Sequence, residues 1–256
     1  MNAILPDTNF MKTVDSTGSS YQSLYKIGGV AALIAAVLIL GEVVFLAIFP
    51  PPETISEWLI LFQSNRIVGF LDFWGLEVLM YVMFILVFLA HYNVLRKANP
   101  SLMVIALALA LLGIGIFLVT NNPFSMLSLS NQYATATTEQ QRSTLLAAGQ
   151  ALLTNTNQRA IGGFNLGFFL VSVAGLLISS VMLQGNSFSR STAIVGILAH
   201  SLSLADYLRQ ALTSSVIITL LVILPNSLLL VIWYVLVGRR LYKLGSTERR
   251  LPPHQA

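Results

Sequence analysis

The chain contains no cysteine. Disulfides, thiolate metal sites and thiol redox motifs are therefore excluded, while the compartment stays open, because a protein without thiols suits either redox environment. Charge is nearly as scarce: Asp, Glu, Lys and Arg make up 9% of the 256 residues, against roughly 25% in a soluble domain. Apolar residues reach 55% and the mean hydropathy is +0.77. That balance excludes a soluble globular chain and identifies an integral membrane protein. A net charge of +4 would suggest nucleic acid in a soluble protein. Here the basic residues collect in loops on one side, so no nucleic-acid partner is expected. Chemistry-bearing motifs are missing too: there is no HExxH, no GxSxG elbow and no Walker loop. His91, His200 and His254 are too dispersed along the chain for a zinc cluster to be read from spacing. No lysine lies inside an apolar run, which argues against a retinal-type Schiff base. The expectation is no metal, no cofactor, no catalytic residue and no enzyme.

What the sequence has is long apolar runs. A spanning helix needs ~20 mostly apolar residues, and six segments qualify: 27–49, 67–90, 101–120, 160–183, 192–212 and 214–237. The last two are the least secure, because Asp206 and Arg209 interrupt the fifth; a five-span reading would put the C-terminal tail on the other side. Lysine and arginine placement favours six spans with both termini inside. The inner set is then Lys12, Lys26, Arg96, Lys97, Arg190, Arg239, Arg240, Lys243, Arg249 and Arg250, ten residues in all. The outer set is the four residues Arg66, Arg142, Arg159 and Arg209. Aromatic anchors agree, with Tyr25, Tyr92, Trp233 and Tyr234 at the inner interface and Tyr207 at the outer. The expected fold is all-α and polytopic, with six transmembrane helices and cytoplasmic N and C termini. A polar tail is expected at 1–25, a transmembrane domain at 26–245 and a cytoplasmic tail at 246–256. The first 25 residues lack the basic-then-apolar pattern of a cleaved signal peptide, so the first apolar run reads as an uncleaved anchor.

The outer connections differ in kind. Pro50–Pro52 end the first helix, since proline donates no backbone hydrogen bond, and a short amphipathic run follows around Trp58–Phe62. In the connection 121–159, Thr137 is followed three residues later by Gln140, a capping-box spacing. Leu145, Ala148 and Leu152 then mark one apolar stripe. An amphipathic cap helix over the outer ends of the spans is expected; the alternative is a solvated loop. Arg66-Ile-Val-Gly69 and Arg159-Ala-Ile-Gly162 echo each other and place Asp72 opposite Asn165, as a duplicated hairpin would. Gly28, Ala32 and Ala36 share a face of the first helix, and Gly163 and Gly167 stand at GxxxG spacing in the fourth; both mark close helix contacts. Pro225-Asn226 marks a kink in the sixth.

Ionisable residues inside the spans are not scattered. From the ~1.5 Å rise per residue, Asp72 lies ~8 Å and Glu77 ~15 Å in from the outer end of the second span, with Glu42 ~10 Å in. Asp206 returns to nearly that level, and His200 reaches the depth of Glu77. A carboxylate at helix centre costs up to ~3 kcal/mol on insertion scales, so it should face the bundle interior and find a partner. Glu42, Asp72, Glu77, Asn165, His200 and Asp206 are the candidate pocket, with Arg66, Arg159 and Arg209 as ion-pair or rim residues. Two readings stay open. One is a polar pocket in the outer half that binds or passes a small solute, a cation or protons. The other is a non-catalytic interaction or regulatory protein whose buried charges only hold its shape.

Four stretches carry a resemblance: YKIGGVAALIA, ALALALLGIGIF, PFSMLSLSNQYATATTEQQRSTLLAAGQALL and IWYVLVGRRLYKLG. In this order they resemble a bacterial and archaeal membrane family, domain of unknown function 4386, from about Tyr25 to Gly245. The resemblance implies a multi-span helical fold and the cytoplasmic (inner) membrane of a prokaryote, with the lipid bilayer as partner. It brings no reaction, cofactor or catalytic residues. Protein partners and oligomeric state are left open.

Overall fold

A computed structural model describes residues 8–155, 166–212 and 216–247. Among these, all regular structure is helical. In chain order the helices are α1 (Thr8–Ile48), α2 (Ile55–Ser64), α3 (Arg66–Phe70), α4 (Leu76–Leu95) and α5 (Pro100–Thr120), then α6 (Pro123–Thr135), α7 (Glu139–Asn155), α8 (Leu166–Met182), α9 (Arg190–Leu212) and α10 (Val216–Ser246). Helix α1 begins inside the stretch expected to be a polar tail. Among the described residues, four stretches are long and apolar enough to cross a membrane: Tyr21–Ile48, Arg66–Leu95, Pro100–Thr135 and Leu221–Ser246. The described part of α8 is apolar and 17 residues long, and α9 carries His200, Asp206 and Arg209 along with its serines. The protein is a helical membrane protein.

Helices α1, α4, α5, α8, α9 and α10 pack side by side in that order, and α10 returns to α1, so they form a closed ring. Small residues set the closest approaches, as expected where lipid competes equally for apolar side chains. Gly28 faces Ala90 and the Leu86 carbonyl of α4, while its neighbour Gly29 faces Gly238 and Tyr242 of α10. Ala32 and Ala36 are buried along the same helix. Gly113 of α5 lies against Gly167 and Leu170 of α8; Gly163 falls outside the described residues.

Over one end of the ring lies a cap of α2, α6 and α7 with its own apolar core, built on Trp58, Leu59, Phe62 and Met126. Helix α2 starts with a reciprocal capping box. The Glu57 carboxylate accepts the backbone N–H groups of Thr54 and Glu53 at 3.0 Å each, and the Glu57 N–H donates to Thr54 Oγ1. Ser130 Oγ donates to the Leu59 carbonyl at 2.7 Å, tying α6 to α2. The long connection thus holds two helices where one was expected. The cap of α7 also sits one residue later than expected: Gln141 Oε1 accepts the N–H groups of Thr137 and Thr138, while the Gln141 N–H donates to Thr138 Oγ1 at 3.2 Å. The face of α7 turned to the cap core carries Leu146, Leu152 and Leu153, with Gly149 buried, whereas Ala148 is exposed. The reason is steric: Ile55 of α2 occupies the space where Gly149 has no side chain.

The second apolar run is not the continuous helix expected over 67–90. It breaks at Leu71–Gly75, a π-type turn between α3 and α4 in which Phe73 (φ −89°, ψ 61°) and Trp74 (φ 66°, ψ 10°) leave helical geometry. Trp74 has the only positive φ of any non-glycine among the described residues. Such a conformation costs on the order of 1–3 kcal/mol and persists only where the surroundings enforce it. Here Phe73 is buried in the cap core, edge-on to Trp58 at 5.1 Å, and the Trp74 ring meets Phe117 and Phe168 at 5.6 and 5.8 Å. Gly75 is required at the break, because a Cβ there would run into the Phe70 carbonyl oxygen.

Candidate functional site

The cap-end half of the ring encloses a cavity of about 340 Å³ walled by α1, α4, α8, α9, α10 and Trp74 of the break. Four expected residues line it: Glu42 from α1, Glu77 from α4, and His200 and Asp206 from α9. The break explains the position of Glu77. Because α4 starts afresh at Leu76, Glu77 stands in a first helical turn, where unpaired backbone N–H groups and the helix dipole favour an acidic side chain. Its residue is 7% exposed. Glu42 reaches the same wall from α1, close enough for the two carboxyls to interact. Two carboxyls sharing a buried site resist ionising together, which favours one retained proton.

Several other polar residues of the wall are already engaged. Arg209 Nε lies 2.6 Å from Asp206 Oδ1, with side chains 11% and 13% exposed respectively, one turn apart on α9. Ser203 Oγ donates to Asn226 Oδ1 at 3.1 Å, which links α9 to α10 just after Pro225. Tyr207 lies close to Ser172 of α8 in the same wall. His200 is 2% exposed and edge-on to Trp233 at 4.8 Å, and it lies over Gly175 of α8. Its Nε2 has no hydrogen-bond partner among the described residues.

The remaining expected residues lie elsewhere. Asp72 is 4% exposed within the break; it is close enough to interact with Glu77 but is not part of the cavity wall. Arg66 is exposed and donates to Asn131 Oδ1 at 3.3 Å, so it ties α3 to the cap. Asn165 and Arg159 lie outside the described residues, and with them the echo that paired Asn165 with Asp72. Among the described residues no three His, Asp or Glu side chains converge as metal ligands. A shallower groove of about 670 Å³ between α6 and α7 has no ionisable side chain in its wall, so the ionisable chemistry gathers in the first cavity.

Sequence reasoning missed the aromatic wall: Trp74, Tyr81, Phe84 and Phe168 were not singled out, and Tyr207 and Tyr234, expected as interface anchors, line the cavity instead. Aromatics inside an apolar run read as core or lipid-facing. The usable signal was tyrosine well inside a span, where a hydroxyl wants a polar neighbour.

A family model described as "Domain of unknown function (DUF4386)" matches residues 23–238. The chain belongs to this family. No curated protein and no solved structure matched. The DUF4386 match contains the whole cap and every residue of the cavity wall, from Ile39 to Tyr234.

Proposed function

We propose that this DUF4386 protein is a six-span protein of a prokaryotic inner membrane, with both termini cytoplasmic, whose cavity binds or passes a small solute or cation without catalysing a reaction. The apolar α8 and the polar α9 complete the ring as spans. Their composition suits that role, because several polar side chains of α9 face inward: His200 and Ser203 are buried and Asp206 is paired. Ten basic residues against four then put the cap outside and the cavity in the outer half.

One observation carries this reading: Glu42, Glu77, His200 and Asp206, from three helices, meet in one cavity. Ionisable groups are expensive within a membrane and mark solute or ion sites by default. The shape-holding alternative draws support from the Asp206–Arg209 pair and the Arg66–Asn131 contact, which are structural at those positions.

The test uses the cysteine-free background. Ser203→Cys, in the cavity wall, reacts with a small water-soluble methanethiosulfonate in membranes. Leu198→Cys, 53% exposed on the outer surface of α9, stays unreactive. An inert Ser203→Cys would remove the water-accessible cavity and leave the shape-holding alternative.

A further inference from the structure

We infer that the cavity takes a monovalent organic ammonium ion, a protonated or quaternised amine with an apolar body. This rests on the reading of the cavity as a solute site and names what that solute is.

Charge sets the valence. Glu42 and Glu77 share one buried wall, and two carboxyls that close resist ionising together, so the pair offers a single negative charge. Asp206, the third acid in the wall, has its charge offset by Arg209 at 2.6 Å. The walls set the ligand type. Trp74, Tyr81, Phe84, Phe168, Tyr207 and Tyr234 surround the carboxyls with aromatic rings. Those rings are held in place: Phe84 stacks on Tyr234 at 5.0 Å and 4°, and Tyr81 stacks on Phe117 at 3.9 Å. Aromatic faces attract a weakly hydrated cation, and quaternary ammonium groups are the ligand for which aromatic cages are best known. A small inorganic cation fits poorly, since it demands a shell of about six or more oxygen ligands. The rest of the wall is mostly apolar or aromatic; its neutral oxygens, on Ser172, Ser203, Asn226 and Ser227, include a Ser203–Asn226 pair already bonded to each other.

Size and burial agree. A volume of about 340 Å³ lies at the lower end of the ~300–1,000 Å³ typical of small-molecule sites. His200, 2% exposed in the wall, keeps Nε2 without a partner among the described residues. A buried nitrogen of that kind calls for a ligand or water nearby.

The experiment measures binding of radiolabelled choline to the purified full-length protein in nanodiscs. The competitors are 3,3-dimethylbutan-1-ol, its uncharged carbon isostere, and sodium chloride. Choline is expected to bind, with the neutral isostere weaker by about tenfold or more and sodium ineffective. Trp74→Leu should weaken binding by about tenfold while Trp74→Phe stays close to the parent; the positive φ strains all three side chains alike. Tyr234→Phe and Tyr234→Leu repeat the comparison should Trp74→Leu fail to fold. Equal competition by the isostere, or equal binding by the Leu and Phe variants, would overturn the ammonium inference. So would absence of choline binding. In each case a reactive Ser203→Cys keeps the solute cavity standing, and an inert one takes both readings down together.

Discussion

At the scale of single residues, the carboxyl pair separates structural from functional burial. The Glu42→Gln/Glu77→Gln double variant keeps the shape but removes the charge. It should leave the melting temperature near that of the parent while choline binding is lost; unchanged binding would deny the pair its role. Glu77→Ala instead strands Glu42 inside the ring and should destabilise by about 1–3 kcal/mol, read as a lower melting temperature in detergent. Glu57, in the cap, tests a different point. The backbone N–H groups of Thr54 and Glu53 hold its carboxyl below the usual 4.5. A depressed folded-state value means the stabilisation is complete above the unfolded value and fades as pH falls through the folded one. The melting-temperature gap between the parent and Glu57→Ala should therefore be present at pH 7 and shrink in strong acid. A gap independent of pH would exclude the carboxylate as its source. The sequence made the acids legible because charge in an apolar run is conspicuous. It hid the aromatic wall, because Trp74, Phe84 and Phe168 look the same whether they face lipid, core or cavity.

At the scale of elements, the break in the second span is the feature that hydropathy could not reveal. A hydropathy window sums transfer preferences and is blind to φ and ψ, so LDFWG passes as apolar helix. Asp72 and Gly75 were the visible hints, one competing with the backbone for hydrogen bonds and the other freeing space at Phe70. Gly75→Ala should lower stability by about 1–3 kcal/mol through overpacking. Gly41→Ala, where a Cβ would meet nothing, should be neutral or stabilising by up to about 1 kcal/mol. Thermal melts of both variants check the contrast, and equal shifts would mean the break does not depend on that glycine. The register of α7 shows a second limit. Thr137-Thr138 and Gln140-Gln141 offer two overlapping capping frames; the folded chain uses the later one, with Gly149 seated against Ile55.

At the scale of the whole molecule, apolar length gave the helices but not their neighbours. Lateral order in a ring depends on which small residues meet, such as Gly29 with Gly238 and Gly113 with Gly167, and no hydropathy profile carries that. Orientation can be measured directly, again because the chain has no cysteine. Ser143→Cys on α7 should react with an impermeant maleimide on intact spheroplasts, and Thr247→Cys only after permeabilisation. The reverse pattern would turn the protein over and put the cavity in the inner half.

The convergence of Glu42 and Glu77 on one cavity underlies all of these expectations. It is tested most directly by a short bifunctional thiol reagent on the Glu42→Cys/Glu77→Cys double variant, read by intact-protein mass spectrometry. The control pair is Val43→Cys/Glu77→Cys, since Val43 is 41% exposed on the outer surface of α1. One reagent molecule bridging both thiols in the first pair, against separate single additions in the control, is the expected result. Single additions in both pairs, or bridging only through Val43, would mean that the two acids do not meet.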